Sequence, residues 1–549
     1  MDGNFNNTFK LLGLIIKREK FISTVWIAIL VLSSFGIAPA VASMFPDAAS
    51  RAQFAASINN PIMIAIMGPV YGLDNYTAGA MYSNVMLLWY LIPTAIMNIF
   101  FIIRHTRGDE DAGRVEVVRS LPSGRLAGIN AAILGAIILN IILGILTAAA
   151  LYITGIDSMD LRGSITFGAV TAATGLVFAA IAALFAQLAS GAGSASTLSM
   201  ITMGVFYILR AIGDVREIEL IAYISPLGLA QRTQVYVQNH VWPILVLLII
   251  AVVISIASYV LSSVRDMGQG FIAPKQGPAN AHKSLLSPLG LTWRLLRSAV
   301  ITWIVIMVVL SASYATMVTD ITSFVGDSPE YLTIIGVPVD KLDTMSDADK
   351  NRVIVESFGT FVTVIMTLMC ITPLLTTVLK ARAQEREGLA EHVYAAAVSR
   401  SHYLGGYVLL AFLTSIVLQF LTAIFLYFPA EMIAGNANPF TLQEVLTQFL
   451  SFLPAQWVMI AVCVFFVGLL PGLTGIVWGY FGVVVFVSFL GGLFLPDWAP
   501  ALSPFHFVPQ PQPMVDFVLN FTPLIVLTII SAVLTIFGFI GYKKRDLMI

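Results

Sequence analysis

About twelve stretches of this chain stay apolar for roughly twenty residues, the length a helix needs to cross a hydrocarbon core about 30 Å thick. They lie near 21–45, 80–103, 126–154, 164–189, 195–212 and 242–263 in the first half. In the second half they lie near 299–318, 353–379, 402–428, 445–470, 473–495 and 518–541. A helix satisfies its own backbone polar groups where no water reaches them. The expected fold class is therefore an all-α polytopic membrane protein. Composition agrees: 58% of the 549 residues are hydrophobic and 11% charged, against about 25% charged in soluble domains. A net charge of −1 gives no reason to expect a nucleic-acid partner. Cys370 and Cys463 both lie in apolar runs and read as packed thiols, not as a disulfide or a metal pair.

The basic residues set the expected orientation. They gather at the N-terminus (Lys10, Lys17, Arg18, Lys20) and in the loop after the second span (Arg104, Arg107, Arg114, Arg119, Arg125). They recur in the centre (Arg265, Lys275, Lys283, Arg294, Arg297), after the eighth span (Lys380, Arg382, Arg386, Arg400) and at the C-terminus (Lys543, Lys544, Arg545). In a twelve-span chain all five groups fall on one side, which the positive-inside bias makes the cytoplasm. Both termini are expected there, in the plasma membrane. The acidic stretch Asp320 to Asp349 falls on the opposite side. It lacks the ligand order of an EF-hand and reads as a solvated loop.

The loop "RGDEDAGRVEVVRSLPSGR", residues 107–125, has a counterpart in "RAQEREGLAEHVYAAAVSR", residues 382–400. Aligned without gaps, Arg107 meets Arg382, Glu110 meets Glu385, Gly113 meets Gly388, Glu116 meets Glu391 and Arg125 meets Arg400. Other landmarks repeat at a similar shift. "ISPLG" at 224–228 pairs with "LSPFH" at 502–506, and Arg265-Asp266 after the sixth span pairs with Arg545-Asp546 after the twelfth. Each half then has six spans and enters the membrane in the same direction, as parallel repeats do. The expected layout is a first half at 1–265, a cytoplasmic linker at 266–290 and a second half at 291–549, with a cavity along the pseudo-two-fold axis.

The spans hold few ionisable groups, whereas ion-coupled carriers commonly place Asp, Glu or His within the membrane. Glu356 and Glu444 sit at span edges, and all six histidines lie in loops or at borders. Arg210, near the outer end of the fifth span, has Asp214 one turn on and reads as a snorkelling, paired arginine. No G-x-x-x-x-G-K-[ST] phosphate loop occurs, and no nucleophile–base or metal-ligand spacing is evident. The chain is not expected to be an enzyme or to bind a metal.

Residues 109–121 read as a short amphipathic helix. Acids open it, which suits the helix dipole, and Pro122 and Gly124 close it. The sequence "RHTRGDEDAGRVEVVRSLPSGR", with "ISPLG…VWPILVLL", "RDMGQG…GPA" and the second-half loop, resembles the permeases of ATP-binding-cassette (ABC) exporters. The nearest group is the fused twelve-span permeases of polyketide-antibiotic and multidrug exporters, and the likeness runs through most of the chain. It implies that the two loops are coupling helices. Glu110, Gly113, Glu116 and Arg125 would face one copy of a separate ATPase, and Glu385, Gly388, Glu391 and Arg400 would face the other. The loops differ where Arg114 becomes Leu389 and Pro122 becomes Ala397. ATP and Mg would sit on the two ATPase copies, with no cofactor in this chain.

The resemblance further implies export of a hydrophobic or amphipathic small molecule from a cavity lined by the second and fifth spans of each half. Trp89, Phe206, Tyr207, Trp478 and Tyr480 are its candidate contacts. The stretch "FNNTFKLLGLIIKREKF" places Phe5, Phe9, Leu12 and Ile16 on one face and resembles an interfacial helix on the inner leaflet. The SPLG and SPFH segments would be outer gate elements. Two other functions compete: a proton-driven twelve-span multidrug carrier, and a membrane scaffold or enzyme of lipid-linked chemistry. The scarcity of intramembrane acids weighs against the first, and the lack of a catalytic cluster against the second.

Overall fold

The computed structural model describes residues 4–59, 61–120, 122–272, 280–317, 345–434, 440–494, 498–511 and 519–546, together with Ile321, Leu332 and Val337. The described residues are helical, with no strand among them. Eleven helices are long and apolar enough to cross a membrane. The chain divides into two compact units, Met1–Gly277 and Pro278–Ile549.

Unit one contains α1 (Thr8–Met44), α2 (Ala48–Ile58), α3 (Pro61–Met67), α4 (Ala78–His105), α5 (Arg107–Asp111) and α6 (Arg114–Arg119). It continues with α7 (Ala127–Ile153), α8 (Leu161–Leu188), α9 (Ala192–Val215), α10 (Glu219–Ile224), α11 (Pro226–Gln231) and α12 (Trp242–Val264). Side-chain caps start several of them: Thr77 Oγ1 accepts from Ala80 N at 3.2 Å, and Asp160 Oδ1 accepts from Gly163 N at 2.8 Å. Helix α8 packs against α4, α7 and α12. Ala173, Ala179, Ala180, Ala182, Ala183 and Ala186 are buried on it, and small residues let membrane helices approach closely. Where α4 meets α7, Asn98 and Asn140 exchange amide hydrogen bonds of 3.0 and 2.6 Å, so a fully buried polar pair satisfies itself.

Unit two contains α13 (Pro288–Met317), α14 (Asp347–Arg386), α15 (Leu389–Ala395), α16 (Arg400–Ala434), α17 (Leu442–Ser451), α18 (Leu453–Leu469), α19 (Ile476–Phe494) and α20 (Phe521–Lys544). Helices α18 and α20 pack most extensively. They meet at Gly468 and Gly538, where a Cβ on either residue would strike the facing backbone. Buried polar groups are bridged here too: Gln419 Nε2 donates to Thr367 Oγ1 at 3.2 Å and Gln456 Nε2 to Thr367 O at 3.1 Å.

The structure departs from the sequence expectations in several places. The interfacial helix and the first span are one continuous helix, α1, because nothing between Lys17 and Trp26 breaks it. Its four-residue face is also divided. Leu12 is buried, together with Ile15, whereas Phe5, Phe9 and Ile16 are exposed. The tenth span is two helices, α17 and α18, meeting at Phe452, where Pro454 offers no N–H to continue the ladder. The eleventh run forms α19, which is not among the eleven long apolar helices. Arg210 does not snorkel: its side chain is fully buried. The guanidinium donates to the carbonyls of Ile64, Ala65 and Ile66 at 3.2, 2.9 and 3.4 Å, at the end of α3. The acidic stretch 320–349 and the linker residues 273–279 lie largely outside the described residues.

Candidate functional site

In unit one, α4 ends at His105 and Thr106 turns the chain (φ −121°, ψ −91°) into α5. Gly113 then takes φ +70° before α6. In unit two, α14 runs on to Arg386, and Gly388 takes φ +73° before α15. No atom lies within 4 Å of where a Cβ would stand on either glycine. The residue type therefore answers the left-handed backbone, not a lack of room. The two matched glycines make the same bend in each loop.

The two glutamates that precede these bends are held inside the protein. Glu110 Oε2 pairs with Arg265 Nη2 at 2.6 Å, and Glu110 Oε1 accepts from Gly268 N at 2.6 Å. Arg107 Nη1 stands 3.4 Å from the same carboxylate. Arg125 Nη2 donates to the carbonyl of Arg265 at 2.9 Å. In unit two, Glu385 Oε2 pairs with Arg545 Nη2 at 2.5 Å and with Arg382 Nη1 at 3.3 Å. Arg400 Nη1 donates to the carbonyl of Arg545, and Tyr542 OH donates to Glu385 Oε1. Each loop is thus latched to the end of the last long helix of its unit by the same arrangement of one glutamate and three arginines. Only 10% of the Glu110 side chain and 3% of the Glu385 side chain are exposed.

Burial raises the Glu110 pKa, but the Arg265 and Gly268 hydrogen bonds and the charges of Arg265 and Arg107 outweigh it, so the carboxyl titrates below its usual value. A depressed carboxylate pKa stabilises above the unfolded value and loses that contribution as pH falls through the folded one. This latch therefore holds at neutral pH and loosens only in acid.

Two further carboxylates fasten α1 to the end of α4 and to the first loop. Asp109 pairs with Arg18 at 2.8 Å and with Arg114 at 2.7 Å. Glu19, buried, pairs with Arg104 at 2.6 Å. Ahead of α1, Asn7 Nδ2 donates to Pro122 O at 2.7 Å, and Gly124 N and Leu126 N donate to Asn6 O and Asn4 O. The exposed face of the first loop carries Glu116 and Val117, and that of the second carries Leu389, Glu391 and His392.

Residues 285–543 match the family described as the C-terminal domain of the multidrug efflux system permease Rv1217c. The multidrug efflux system permease protein Rv1217c of Mycobacterium tuberculosis is 30% identical over 546 residues, which cover 99% of this chain and 95% of that protein. The chain belongs to this permease family.

In this permease the five aromatic cavity candidates have separate surroundings. Trp89 is exposed, and Phe206 packs partly buried against the core of unit one. Tyr207 OH donates to Ile66 O at 3.1 Å, and the Arg210 guanidinium lies 4.7 Å from its ring centre. Trp478 is exposed against Phe481, and Tyr480 OH donates to Leu502 O at 3.1 Å. The SPLG and SPFH segments share one local device. Ser225 Oγ accepts from Leu227 N at 3.2 Å and Ser503 Oγ from Phe505 N at 3.3 Å, each with proline at the first helical position.

The permease residues that residue-by-residue reading left out are Arg265, Arg545 and Tyr542. The first two carry a signal in the sequence, the Arg-Asp pair that closes each half. Their reach to Glu110 and Glu385 depends on how the helices pack. Arg107 and Arg382 also repeat in sequence, and they are buried beside the two glutamates.

Proposed function

We propose that this chain is the membrane-spanning permease of an ATP-driven exporter of hydrophobic or amphipathic compounds. It sits in the plasma membrane with both termini in the cytoplasm. Two copies of a separate ABC ATPase, carrying ATP and Mg, work it through the loops around Gly113 and Gly388. The observation that carries this reading is the duplicated latch. A loop tied by a buried ion pair to another helix of its unit moves with that helix, so a push on the loop becomes a movement of the bundle. Efflux is what the name of the mycobacterial relative states of that protein, and it fits an apolar chain of this kind.

In this reading the work is divided among the loop residues. Glu110, Arg125, Glu385 and Arg400 are occupied within the protein and transmit force. Glu116 and Glu391, exposed just past each glycine bend, are the residues that meet the ATPase. The exposed glutamates are tested by the double variant Glu116→Lys, Glu391→Lys, purified with whatever ATPase accompanies the wild type. Losing a charge-assisted contact worth about 1.5–3 kcal/mol at each loop lowers recovery of the ATPase by about tenfold or more. Insertion and thermal unfolding stay unchanged. Full recovery of the ATPase, with normal export, contradicts the docking role.

A proton-driven carrier fits less well. Asp214, buried in α9, lies 2.8 Å from Arg232 and 3.6 Å from Arg210. An acid flanked by two arginines that also grip backbone carbonyls and Tyr71 is built into the packing of unit one.

A further inference from the structure

Unit one has a pocket of about 230 Å³ between the start of α1, the α5–α6 loop, the start of α7 and the end of α12. Its walls are of two kinds. Leu11, Leu14, Ile15, Val115, Val118 and Ile129 make it apolar on the side of α1, α6 and α7. Six arginines also line it, Arg18, Arg107, Arg114, Arg119, Arg125 and Arg265, against two carboxylates, Asp109 and Glu110. Both carboxylates are already engaged by arginines. Arg119 makes no hydrogen bond or ion pair among the described residues, and Arg125 meets only a backbone carbonyl. The pocket therefore keeps positive charge with no internal partner. Partial burial and the nearby charges of Arg125 and Arg265 push the Arg119 guanidinium below its ordinary pKa, although the Glu110 carboxylate, itself paired with Arg265, acts the other way.

Unit two fills the corresponding place. Aligned by the repeat, Arg119 corresponds to Tyr394 and Ser262 to Tyr542. Those two tyrosine hydroxyls bond to each other at 2.9 Å, and Tyr394 stacks edge-on against Tyr403. In unit one the smaller Ser262 and the unpaired Arg119 both line the open pocket.

We infer that the unit-one pocket binds the phosphate of an anionic amphiphile, with Arg119 and Arg125 on the phosphate and the α1 and α6 side chains along its apolar part. Guanidinium groups suit phosphate oxygens geometrically as well as by charge. Basic pockets at the ends of membrane helices are placed where anionic lipid headgroups lie. The apolar wall, with Leu14 60% exposed, selects an amphiphile over a free anion. The site stands on the pocket alone and does not depend on the ATPase reading.

The test uses the full chain, purified without any ATPase and exposed to defined lipids, with bound lipid counted by native mass spectrometry. Dioleoyl phosphatidylglycerol is retained in preference to dioleoyl phosphatidylcholine. Arg119→Gln lowers that retention about tenfold. Ser262→Tyr, which removes no charge and copies the filling of unit two, lowers it likewise. Gel filtration and thermal unfolding show that both variants remain folded. Inorganic phosphate at millimolar concentration does not displace the lipid. Displacement by phosphate alone overturns the amphiphile assignment. Equal retention of both lipids, or unchanged retention in folded Ser262→Tyr, overturns the site.

Discussion

On the proposed ATP-driven mechanism, replacing Glu110 and Glu385 together by glutamine leaves the ATPase bound and sharply lowers its useful work. Each substitution removes the carboxylate at the centre of a latch and breaks a buried ion pair. Arg265 loses its ion-pair partner in unit one, and Arg545 loses its own in unit two. Breaking one side of a buried pair costs about 3–5 kcal/mol, far more than an exposed pair. The loops keep their glycine bends and their exposed faces, so docking survives. The expected result is export reduced by about tenfold, the size of a loss of about 1.4 kcal/mol in the coupling between loop and bundle. ATP hydrolysis continues without matching transport. The ratio of ATP hydrolysed to substrate exported measures this directly. It separates the latch residues from Glu116 and Glu391, whose loss removes the ATPase itself. A double glutamine variant with a normal ratio sinks the transmission role of the latch.

Asp214→Ala produces a large loss of stability in unit one. Asp214 Oδ1 holds Arg232 at 2.8 Å, and Arg210, fully buried, stands 3.6 Å from Oδ2. Arg210 in turn closes the carbonyl end of α3 at Ile64, Ala65 and Ile66. Without the carboxylate, two guanidinium groups remain in the packed region with no anion. The cost is about 3–5 kcal/mol, read as a clear fall in the thermal unfolding midpoint of the detergent-solubilised chain. Asp214→Asn keeps the shape and falls between wild type and alanine. If Asp214 were instead a proton carrier, Asn would leave stability near wild type and remove only proton-dependent efflux.

Much of the architecture was legible because membrane crossing imposes one length and one chemistry. The apolar runs at 126–154, 164–189 and 242–263 became α7, α8 and α12 with shifts of a few residues. The separate apolar runs 164–189 and 195–212 became α8 and α9, which residues 189–191 divide. The bend at Gly113 was not legible: residues 109–121 read as one helix, whereas α5 ends at Asp111 and α6 begins at Arg114, with the left-handed Gly113 between them. What escaped was set by packing. Sequence spacing places Glu110 and Glu116 on neighbouring turns and suggests a common outward role, yet one is held by Arg265 and the other is exposed. Arg265 lies 155 residues from Glu110 in the chain, and no local pattern reports that contact. Arg210 was readable as paired but not as a cap on α3, because its carbonyl partners come from a distant segment. The continuity of α1 follows from the absence of a breaker, which a change of polarity at Lys17–Lys20 conceals.

The most direct measurement is export by proteoliposomes that contain the purified permease, with and without the ATPase that accompanies it. ATP and an imposed proton gradient are supplied separately. The account expects export only with both ATPase and ATP, unaffected when the proton gradient is collapsed. Uphill export driven by the proton gradient in vesicles that hold this chain alone would contradict it.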